Sequence, residues 1–407
     1  MKTPNRFSAA SDSNLAALVA VFFVCVGLAR LVGGEATGHN PWQAFLQAPG
    51  AGRFLLVGLA FLLLGVVSRV TRLFDRHRPW VEWLAQVAGV GLVASALARV
   101  QDAAAASLFH SLDPQGWLST SCVVLWCLGV CLLAWREKIW PLWLSLSGLG
   151  WASVYLGSMV AGMYWSGALV TALLYLLCFV LSPLWFGGLA LRLHRAGEVV
   201  EVAGGGEREG LRLGAFCAGW MALAFLLAGA AVLLDPSQTS PSRAWQIRLL
   251  SPGWFFTGRM ALLTAALAGL GVAQCLVKDL PSSRQGWAQG CQQLGRLAFF
   301  IMALSNIQLL SVDVPYRWID PNGLYWLTGL GIWALGMSWL SWRSRAYPRS
   351  SLILGALTGG LLGGVPVASM LGDQVLWTLC VFGGSMLAGP LWLFSLARHW
   401  RGRLASL

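Results

Sequence analysis

The sequence predicts an all-α, polytopic integral membrane protein of about twelve transmembrane helices, arranged as two tandem six-helix repeats. Composition, an internal duplication and the placement of charges support this prediction. Of the 407 residues, 57% are hydrophobic and only 11% are charged, whereas soluble domains carry roughly a quarter charged residues. Apolar stretches recur along the whole chain, and about twenty residues suffice to cross a hydrocarbon core about 30 Å thick.

The duplication is visible when the sequence is shifted along itself by 207 residues, which places Gln86–Arg195 on Gln293–Gly402 without a gap. The matched positions include Asp113-Pro114-Gln115-Gly116 with Asp320-Pro321-Asn322-Gly323, Trp126 with Trp333, and Pro183-Leu184-Trp185 with Pro390-Leu391-Trp392. Chance similarity between apolar segments does not align Trp, Pro and an Asp-Pro-x-Gly turn in one register. The sequence therefore predicts a tandem repeat. Because each repeat has an even number of helices, both repeats enter the membrane in the same sense, in parallel orientation.

The apolar stretches predict the helices in order. The first repeat has helices at Leu15–Gly33, Gly52–Val70, Val81–Ala104, Trp117–Trp135, Ile139–Gly162 and Ala168–Leu191. The second repeat has helices at Leu211–Leu234, Trp254–Val277, Trp287–Ser311, Gly323–Trp342, Ser350–Leu371 and Val375–Ala397. We interpret the N-terminal apolar stretch as a retained first helix, because it is too long for the apolar core of a signal peptide.

Two kinds of shorter segment connect these helices. Glu35–Gly50 and the stretch near Trp245, which follow the first and seventh helices, carry Trp among apolar residues and predict short interfacial helices. Gly197–Gly210 is polar and glycine-rich, and is interpreted as a flexible linker. The predicted division is thus a first repeat at 1–196, a cytoplasmic linker at 197–210 and a second repeat at 211–407.

Charge placement predicts the orientation. When the gaps between apolar stretches are assigned alternately to the two sides, 20 of the 28 Lys and Arg lie on one side. This positive-inside pattern places both termini in the cytoplasm, and the protein is expected in the inner membrane of a bacterium. The basic excess is expected to contact anionic lipid headgroups rather than nucleic acid. The lipid bilayer, and other membrane subunits, are the expected partners.

Residues kept in both repeats are interpreted as scaffold, since each repeat must fold in the same way. Asp113 and Asp320 precede Pro, and are predicted to be the N-caps of the fourth and tenth helices. Arg53 and Arg259 lie near the outer ends of the second and eighth helices, and are predicted to pair with these aspartates.

Two further repeated pairs lie inside predicted helices. Gln101 and Gln308 are expected to make interhelical hydrogen bonds that fix register. Trp126 and Trp333 lie well inside the fourth and tenth helices. They are interpreted as core fillers, the alternative being that they stack on a flat cofactor or lipid ring.

Glycines also recur within predicted helices. The eleventh helix carries Gly355, Gly359, Gly360, Gly363 and Gly364 before Pro366. Small-xxx-small spacings predict a close approach of two helix backbones. The proline could also break or kink this helix.

Polar residues without a counterpart in the other repeat are the candidates for function. Arg296 replaces Gly89 about a third of the way along the ninth helix, and Asn306 follows on the same helix. In the first repeat Asp102 replaces an apolar residue, and Arg99 three positions earlier could neutralise it. Charges inside a membrane are costly, so these four residues predict a substrate-binding site, for which an anionic solute would suit Arg296. The alternative for Arg296 is a buried structural ion pair.

The function predicted first is a permease-like secondary transporter of a small, anionic solute, with its path between the two repeats. Two six-helix repeats joined by a cytoplasmic linker are similar to the layout of major-facilitator carriers. The turn Leu73–Arg78, however, lacks the glycines of that family's loop, and no family is assigned.

Two alternatives stay open. One is a non-catalytic subunit or scaffold that binds lipid, pigment or partner subunits. The other is a membrane enzyme acting on a lipid or quinone, with Asp102, His110, Asp113 and Asp313 near the outer face. No hydrolase, P-loop or metal motif is present in the sequence, so no cofactor is assigned and no metal is expected.

Overall fold

The computed structural model describes residues 6–33, 51–74, 77–103, 113, 116–164, 167–196, 206–234, 253–280, 285–311, 320 and 323–407. Within these ranges the chain is helical and contains no strand. The chain divides into two compact units, Met1–Gly206 and Glu207–Leu407. Both predicted interfacial helices lie outside the described residues.

The described part of the first unit consists of seven helices and two short connecting segments. The helices are α1 (Arg6–Gly33), α2 (Ala51–Val70), α3 (Arg78–Ala103), α4 (Trp117–Arg136), α5 (Leu142–Tyr164), α6 (Gly167–Leu176) and α7 (Ser182–Ala196). A 3-10 turn, Thr71–Leu73, follows α2, and a π-helical segment, Leu177–Leu181, joins α6 to α7. Consecutive helices pack against one another, and α7 packs back against α1.

The second unit also consists of seven described helices. They are α8 (Gly206–Leu234), α9 (Trp254–Lys278), α10 (Gln285–Ser311), α11 (Leu324–Ser344), α12 (Arg349–Leu371), α13 (Gln374–Phe382) and α14 (Gly389–Ser406). A π-helical segment, Gly383–Ala388, joins α13 to α14. The most extensive packing between helices of this unit joins α11 to α12.

The all-α membrane class is confirmed. In the described part of the chain, nine helices are long and apolar enough to cross a bilayer, and shorter apolar helices cover Ser13–Ala29 and Leu55–Val70. Helix α11 is 21 residues long but carries four Trp among several Ser and Gly, which lowers its mean hydropathy. Each of these nine helices overlaps an apolar stretch that predicted a helix.

Several helix boundaries differ from the predicted ones. Helix α8 begins at Gly206, so the last residues of the predicted linker are helical. The reason is that Glu207 and Glu209 lie in the first turn, where carboxylates interact favourably with the helix dipole. Helix α1 begins at Arg6 rather than Leu15, and α14 continues to Ser406 rather than ending at Ala397.

The two π-helical segments were not predicted. Each adds one residue to a turn inside a long apolar helix, at Leu177–Leu181 in the first unit and at Gly383–Ala388 in the second. Sequence periodicity does not reveal such an insertion, because the apolar character continues through it. π-helical turns are frequently found at functional sites.

The core of each unit is built around a pair of tryptophans. In the first unit, the ring centroids of Trp126 and Trp185 are 5.7 Å apart at 57°. In the second unit, those of Trp333 and Trp392 are 5.5 Å apart at 58°. Both Trp126 and Trp333 are fully buried, at 0% and 1% exposure. Both rings therefore pack inside their unit, and their interpretation as core fillers stays a prediction.

Helices α11 and α12 approach closely through glycine. A Cβ atom added to Gly359 would lie 2.6 Å from the Leu335 backbone nitrogen, and one added to Gly331 would overlap the backbone of Gly363. Because these glycines have no Cβ atom, the two helix backbones can pack without side chains between them. Helix α12 is continuous through Pro366, so the proline does not break it.

This contact predicts a position-specific effect of one methyl group. We expect Gly331→Ala to destabilise the protein by about 1–3 kcal/mol, because backbone atoms of α12 cannot rotate away as a side chain can. Gly360→Ala on the same helix pair is the control. A Cβ atom there meets nothing within 4 Å, so we expect no loss and a gain of up to about 1 kcal/mol. Thermal unfolding in detergent, followed by labelling of the buried cysteines, measures both; equal effects would contradict the packing argument.

Candidate functional site

Asp113 anchors the start of α4 but is not its N-cap. The helix begins at Trp117 after Gly116, which has a left-handed φ of 66°. The Ser119 backbone N–H and the Ser119 hydroxyl both donate to Asp113 Oδ2, at 2.9 and 2.8 Å. The carboxylate therefore caps the helix from three residues before the N-cap position. The N-cap prediction is wrong because the chain turns at Gly116 before the helix begins.

Asp320 has the same position before α11. Gly323 has a φ of 73°, and the backbone N–H groups of Tyr325 and Trp326 donate to the two carboxylate oxygens at 3.0 and 3.1 Å. Asp320 is fully buried. A buried carboxylate that accepts two otherwise unsatisfied N–H groups fixes the start of the helix. The structural role predicted for both aspartates agrees with this geometry.

A cavity of about 200 Å³ lies within the second unit, beside the start of α11. Its walls come from α8, α9, α11, α13 and the π-helical segment, and Arg259 is the only charged residue among those that line it. The aromatic lining residues are Phe225, Trp254, Phe255, Trp326, Trp377 and Phe382. Ser385 and Met386 of the π-helical segment also reach the cavity. It is an apolar site with a single cation.

Arg259 is held against this cavity by α9. Its guanidinium carbon lies 5.3 Å from the centroid of the Phe255 ring, a cation–π distance. Gly258 beside it allows α9 to approach α8, since an added Cβ atom would lie 3.1 Å from Ala231 Cβ. The predicted ion pair of Arg259 with Asp320 stays a prediction, as does that of Arg53, whose side chain lies outside the described residues.

The first unit has a much smaller cavity, of about 50 Å³. Its lining includes Ser119, Thr120, Trp151 and Tyr155. The Tyr155 and Thr120 side chains are hydrogen-bonded, and Arg99 lies within electrostatic range of Tyr155. Its volume is about a quarter of that of the cavity beside Arg259. This cavity is therefore less suited to a solute than that of the second unit.

The four predicted substrate-binding residues differ in burial, and the side chain of one of them is not described. Arg99 is 1% exposed on α3, and the Asp102 side chain lies outside the described residues. Arg296 is half-buried on α10. Asn306 is 1% exposed, and its amide nitrogen donates to the Met302 carbonyl at 2.7 Å. Arg296 and Asn306 do not line the cavity beside Arg259.

Helix α10 contains two buried side-chain carbonyl oxygens that accept no hydrogen bond from the residues that the structure describes, Asn306 Oδ1 and Gln308 Oε1. The interhelical hydrogen bond predicted for Gln308 stays a prediction. The Gln101 side chain lies outside the described residues. A buried unsatisfied acceptor is costly, so these two positions on α10 are places where a bound donor would be stabilised.

A cluster centred on Asp279 joins several elements of the second unit, and sequence reasoning missed it. Asp279 follows α9, and its Oδ2 accepts from the Tyr347 hydroxyl at 2.6 Å and from Trp400 Nε1 at 2.7 Å. Arg403 on α14 bonds Asp279 Oδ1 at 2.6 Å and Glu207 at 2.9 Å. Burial and the Asp279 carboxylate raise the pKa of the Tyr347 hydroxyl well above its ordinary value, so it remains a donor.

These contacts place the start of α8, the end of α9, the turn before α12 and the end of α14 at one end of the unit. We call it the basic end, because Lys278, Arg343, Arg345, Arg349, Arg398 and Arg401 belong to the same element ends. The cavity beside Arg259 lies toward the opposite end, near the first residues of α9, α11 and α13. The only available sequence signal for the cluster was a single carboxylate within a basic turn.

The first unit has a simpler contact between its corresponding turns. His77 Nε2 lies 2.9 Å from Glu137 Oε1, and Arg192 donates to the Ile139 carbonyl at 2.7 Å. These bonds join the turn before α3, the turn after α4 and helix α7. They serve to hold helix ends together.

The described residues do not test the enzyme alternative. Asp113 is occupied as a helix cap, while the Asp102 side chain, His110 and Asp313 lie outside the described residues. Among the residues that the structure describes, no group of three or more His, Cys, Asp or Glu could hold a metal ion. The buried Cys127 thiol donates to the Gly148 carbonyl at 3.2 Å.

The fold and these sites define a multi-pass, α-helical membrane protein with an apolar cavity in its second unit. Comparison with protein-family models, with curated proteins and with solved structures found no match.

Proposed function

We propose that this protein is a permease-like secondary transporter of a small anionic solute, and that the solute binds in the cavity beside Arg259. The observation that carries the proposal is the cavity itself, about 200 Å³ with largely aromatic and aliphatic walls and one arginine. Binding sites for small molecules are typically concave and apolar, with a few polar groups that fix orientation. The expected solute therefore combines an anionic group with a compact apolar body.

The proposal includes twelve transmembrane spans in two tandem repeats, and matching local geometry supports it. Positions 207 residues apart carry the same tryptophan pair and the same carboxylate cap before a left-handed glycine. Lys138 and Arg345, also 207 apart, share a left-handed φ of 54° in the turn after α4 and α11. Such a φ is uncommon for residues other than glycine, so its recurrence favours a common ancestor for the two units.

The proposal also places both termini in the cytoplasm of a bacterium, with the protein in the inner membrane. The support is the collection of basic residues at one end of the second unit, as the positive-inside rule requires. Labelling a C-terminal tag in inside-out membrane vesicles tests the orientation. A tag that is protected from the label in those vesicles would show that the C-terminus lies on the other side of the membrane.

Transport needs a second polar position along the path, and α10 offers Arg296 and Asn306. Arg296 is a half-buried arginine within an apolar helix, and ionisable residues inside membrane segments commonly mark substrate paths. Asn306 Oδ1 provides a vacant acceptor further along the same helix. We propose that the solute meets these residues during transport.

Binding is tested with benzenesulfonate, a compact aromatic anion, and its neutral analogue benzenesulfonamide. We expect the purified protein to bind the anion roughly tenfold to a hundredfold more tightly in calorimetric titration, because a charge-assisted hydrogen bond contributes about 1.5–3 kcal/mol. Arg259→Gln should abolish this preference. Arg343→Gln is the matched control, since Arg343 also lies 5.3 Å from an aromatic ring centroid, that of Trp339, but outside the cavity.

Two results would contradict the proposal. One is an anion preference that survives Arg259→Gln, or that Arg343→Gln removes equally. The other is purification of the protein in fixed ratio with other polypeptides, which would favour a subunit of a larger complex. Counterflow in proteoliposomes then tests transport, and Arg296→Ala should lower its rate without changing the binding at Arg259.

A further inference from the structure

A groove of about 490 Å³ runs along the surface of the second unit between α8 and α14. It is separate from the cavity beside Arg259, with which it shares no lining residue. Its lining residues are Phe216, Gly219, Trp220, Leu223, Phe394, Ala397, Arg398 and Arg401. One end of the groove is thus basic, and the rest is apolar.

The apolar part of the groove faces outward. Phe216 and Trp220 are each 48% exposed, Leu223 54% and Phe394 39%. These side chains follow Arg212, after which α8 continues without a charged residue to Leu234. An apolar surface of this length on a membrane-spanning helix lies against lipid acyl chains. The groove therefore begins near the headgroup level and continues into the hydrocarbon.

The basic part consists of Arg398 and Arg401, one turn apart on α14. Both are exposed, and neither makes an ion pair within the described part of the chain. By contrast, Arg403 on the same helix is held by Asp279 and Glu207. Arginines at the edge of the hydrocarbon without a carboxylate partner are stabilised by phosphate, which guanidinium binds through two parallel hydrogen bonds.

Gly219 provides room between the two helices. A Cβ atom added there would lie 3.9 Å from Arg401 Nη2, so the guanidinium lies over the glycine at the floor of the groove. The positions 207 residues before the two arginines are Leu191 and His194, and Leu191 is 62% exposed. The basic pair is therefore particular to the second unit, and is not required by the fold of α14.

We propose that this groove binds one anionic phospholipid, with its phosphate on Arg398 and Arg401 and an acyl chain along Phe216, Trp220 and Leu223. Charge complementarity selects the headgroup, and the outward-facing aromatic surface selects a lipid over a free anion. The site is independent of the transport proposal. It would attach the basic end of the second unit to the anionic leaflet of the membrane.

The test is native mass spectrometry of the delipidated, full-length protein with dioleoylphosphatidylglycerol and dioleoylphosphatidylcholine. We expect the first lipid bound to be phosphatidylglycerol. The double variant R398Q/R401Q should bind it about thirtyfold more weakly. The control R208Q/R349Q removes two exposed arginines of the same basic end that do not line the groove, and should bind it as the wild type does.

A third variant separates shape from charge. Gly219→Leu keeps both arginines but fills the floor of the groove, and should weaken phosphatidylglycerol binding while leaving net charge unchanged. Equal losses in R398Q/R401Q and R208Q/R349Q would overturn the proposal, since the lipid would then follow charge alone. Competition by inorganic phosphate, or a polypeptide bound in place of lipid, would overturn it as well.

Discussion

Asp279→Ala is expected to lower the free energy of unfolding by about 3–5 kcal/mol, which is among the largest effects of any single substitution in the second unit. The Asp279 side chain is only 10% exposed and accepts hydrogen bonds from Tyr347, Trp400 and Arg403. Removing this carboxylate leaves the Tyr347 hydroxyl and the Trp400 indole N–H without their acceptor, and Arg403 keeps only its contact with Glu207. The substitution also removes the hydrogen bonds that join the end of α9 to the turn before α12 and to α14.

Thermal unfolding in detergent measures the effect, with a thiol-reactive dye reporting the exposure of cysteines that are buried in the folded protein, such as Cys217 and Cys275. We expect the midpoint to fall by roughly 10 °C. Glu207→Gln is the control, because Glu207 also contacts Arg403 but is 65% exposed, and exposed ion pairs contribute about 0–1 kcal/mol. Similar shifts of the unfolding midpoint for the two variants would contradict the argument that burial makes Asp279 the more important carboxylate for stability.

Trp333→Ala is expected to destabilise the second unit by a similar amount, about 3–5 kcal/mol. The Trp333 ring is 1% exposed and lies against both Trp392 and Phe299, at centroid distances of 5.5 and 5.3 Å. Gly295 on α10 leaves room for it, since an added Cβ atom would collide with the indole. Alanine would leave a cavity bounded by rigid aromatic rings that cannot move in to fill it.

Two further variants test whether lost packing causes the destabilisation expected of Trp333→Ala. Trp333 Nε1 donates no hydrogen bond to any residue that the structure describes, so Trp333→Phe should retain most of the stability because no such contact is lost. Trp287→Ala is the control for removal of an indole, since Trp287 is 76% exposed. The same cysteine-labelling unfolding experiment compares all three. The packing argument fails if Phe is as harmful as Ala, or if Trp287→Ala is as harmful as Trp333→Ala.

The helices could be predicted from the sequence because their signal is local. An apolar stretch of about twenty residues can satisfy its backbone in lipid only as a helix, and α9 begins at Trp254 as predicted. The end of α12 at Leu371 also agrees, since a left-handed Gly372 follows it. The wrong boundaries, at Arg6 and Ser406, lie in polar helical extensions where hydropathy carries no signal.

The sites could be predicted only where they use neighbours in sequence. That the aspartates before α4 and α11 serve the helix start was inferable from Asp-Pro-x-Gly, although the left-handed glycines that move the caps outward were not. The cluster at Asp279 and the groove at Arg401 depend on residues from helices far apart in the chain. Hydropathy alone determined that this chain folds as membrane helices. Tertiary packing decided which charges meet a partner, because the distance between two side chains on different helices depends on how those helices pack.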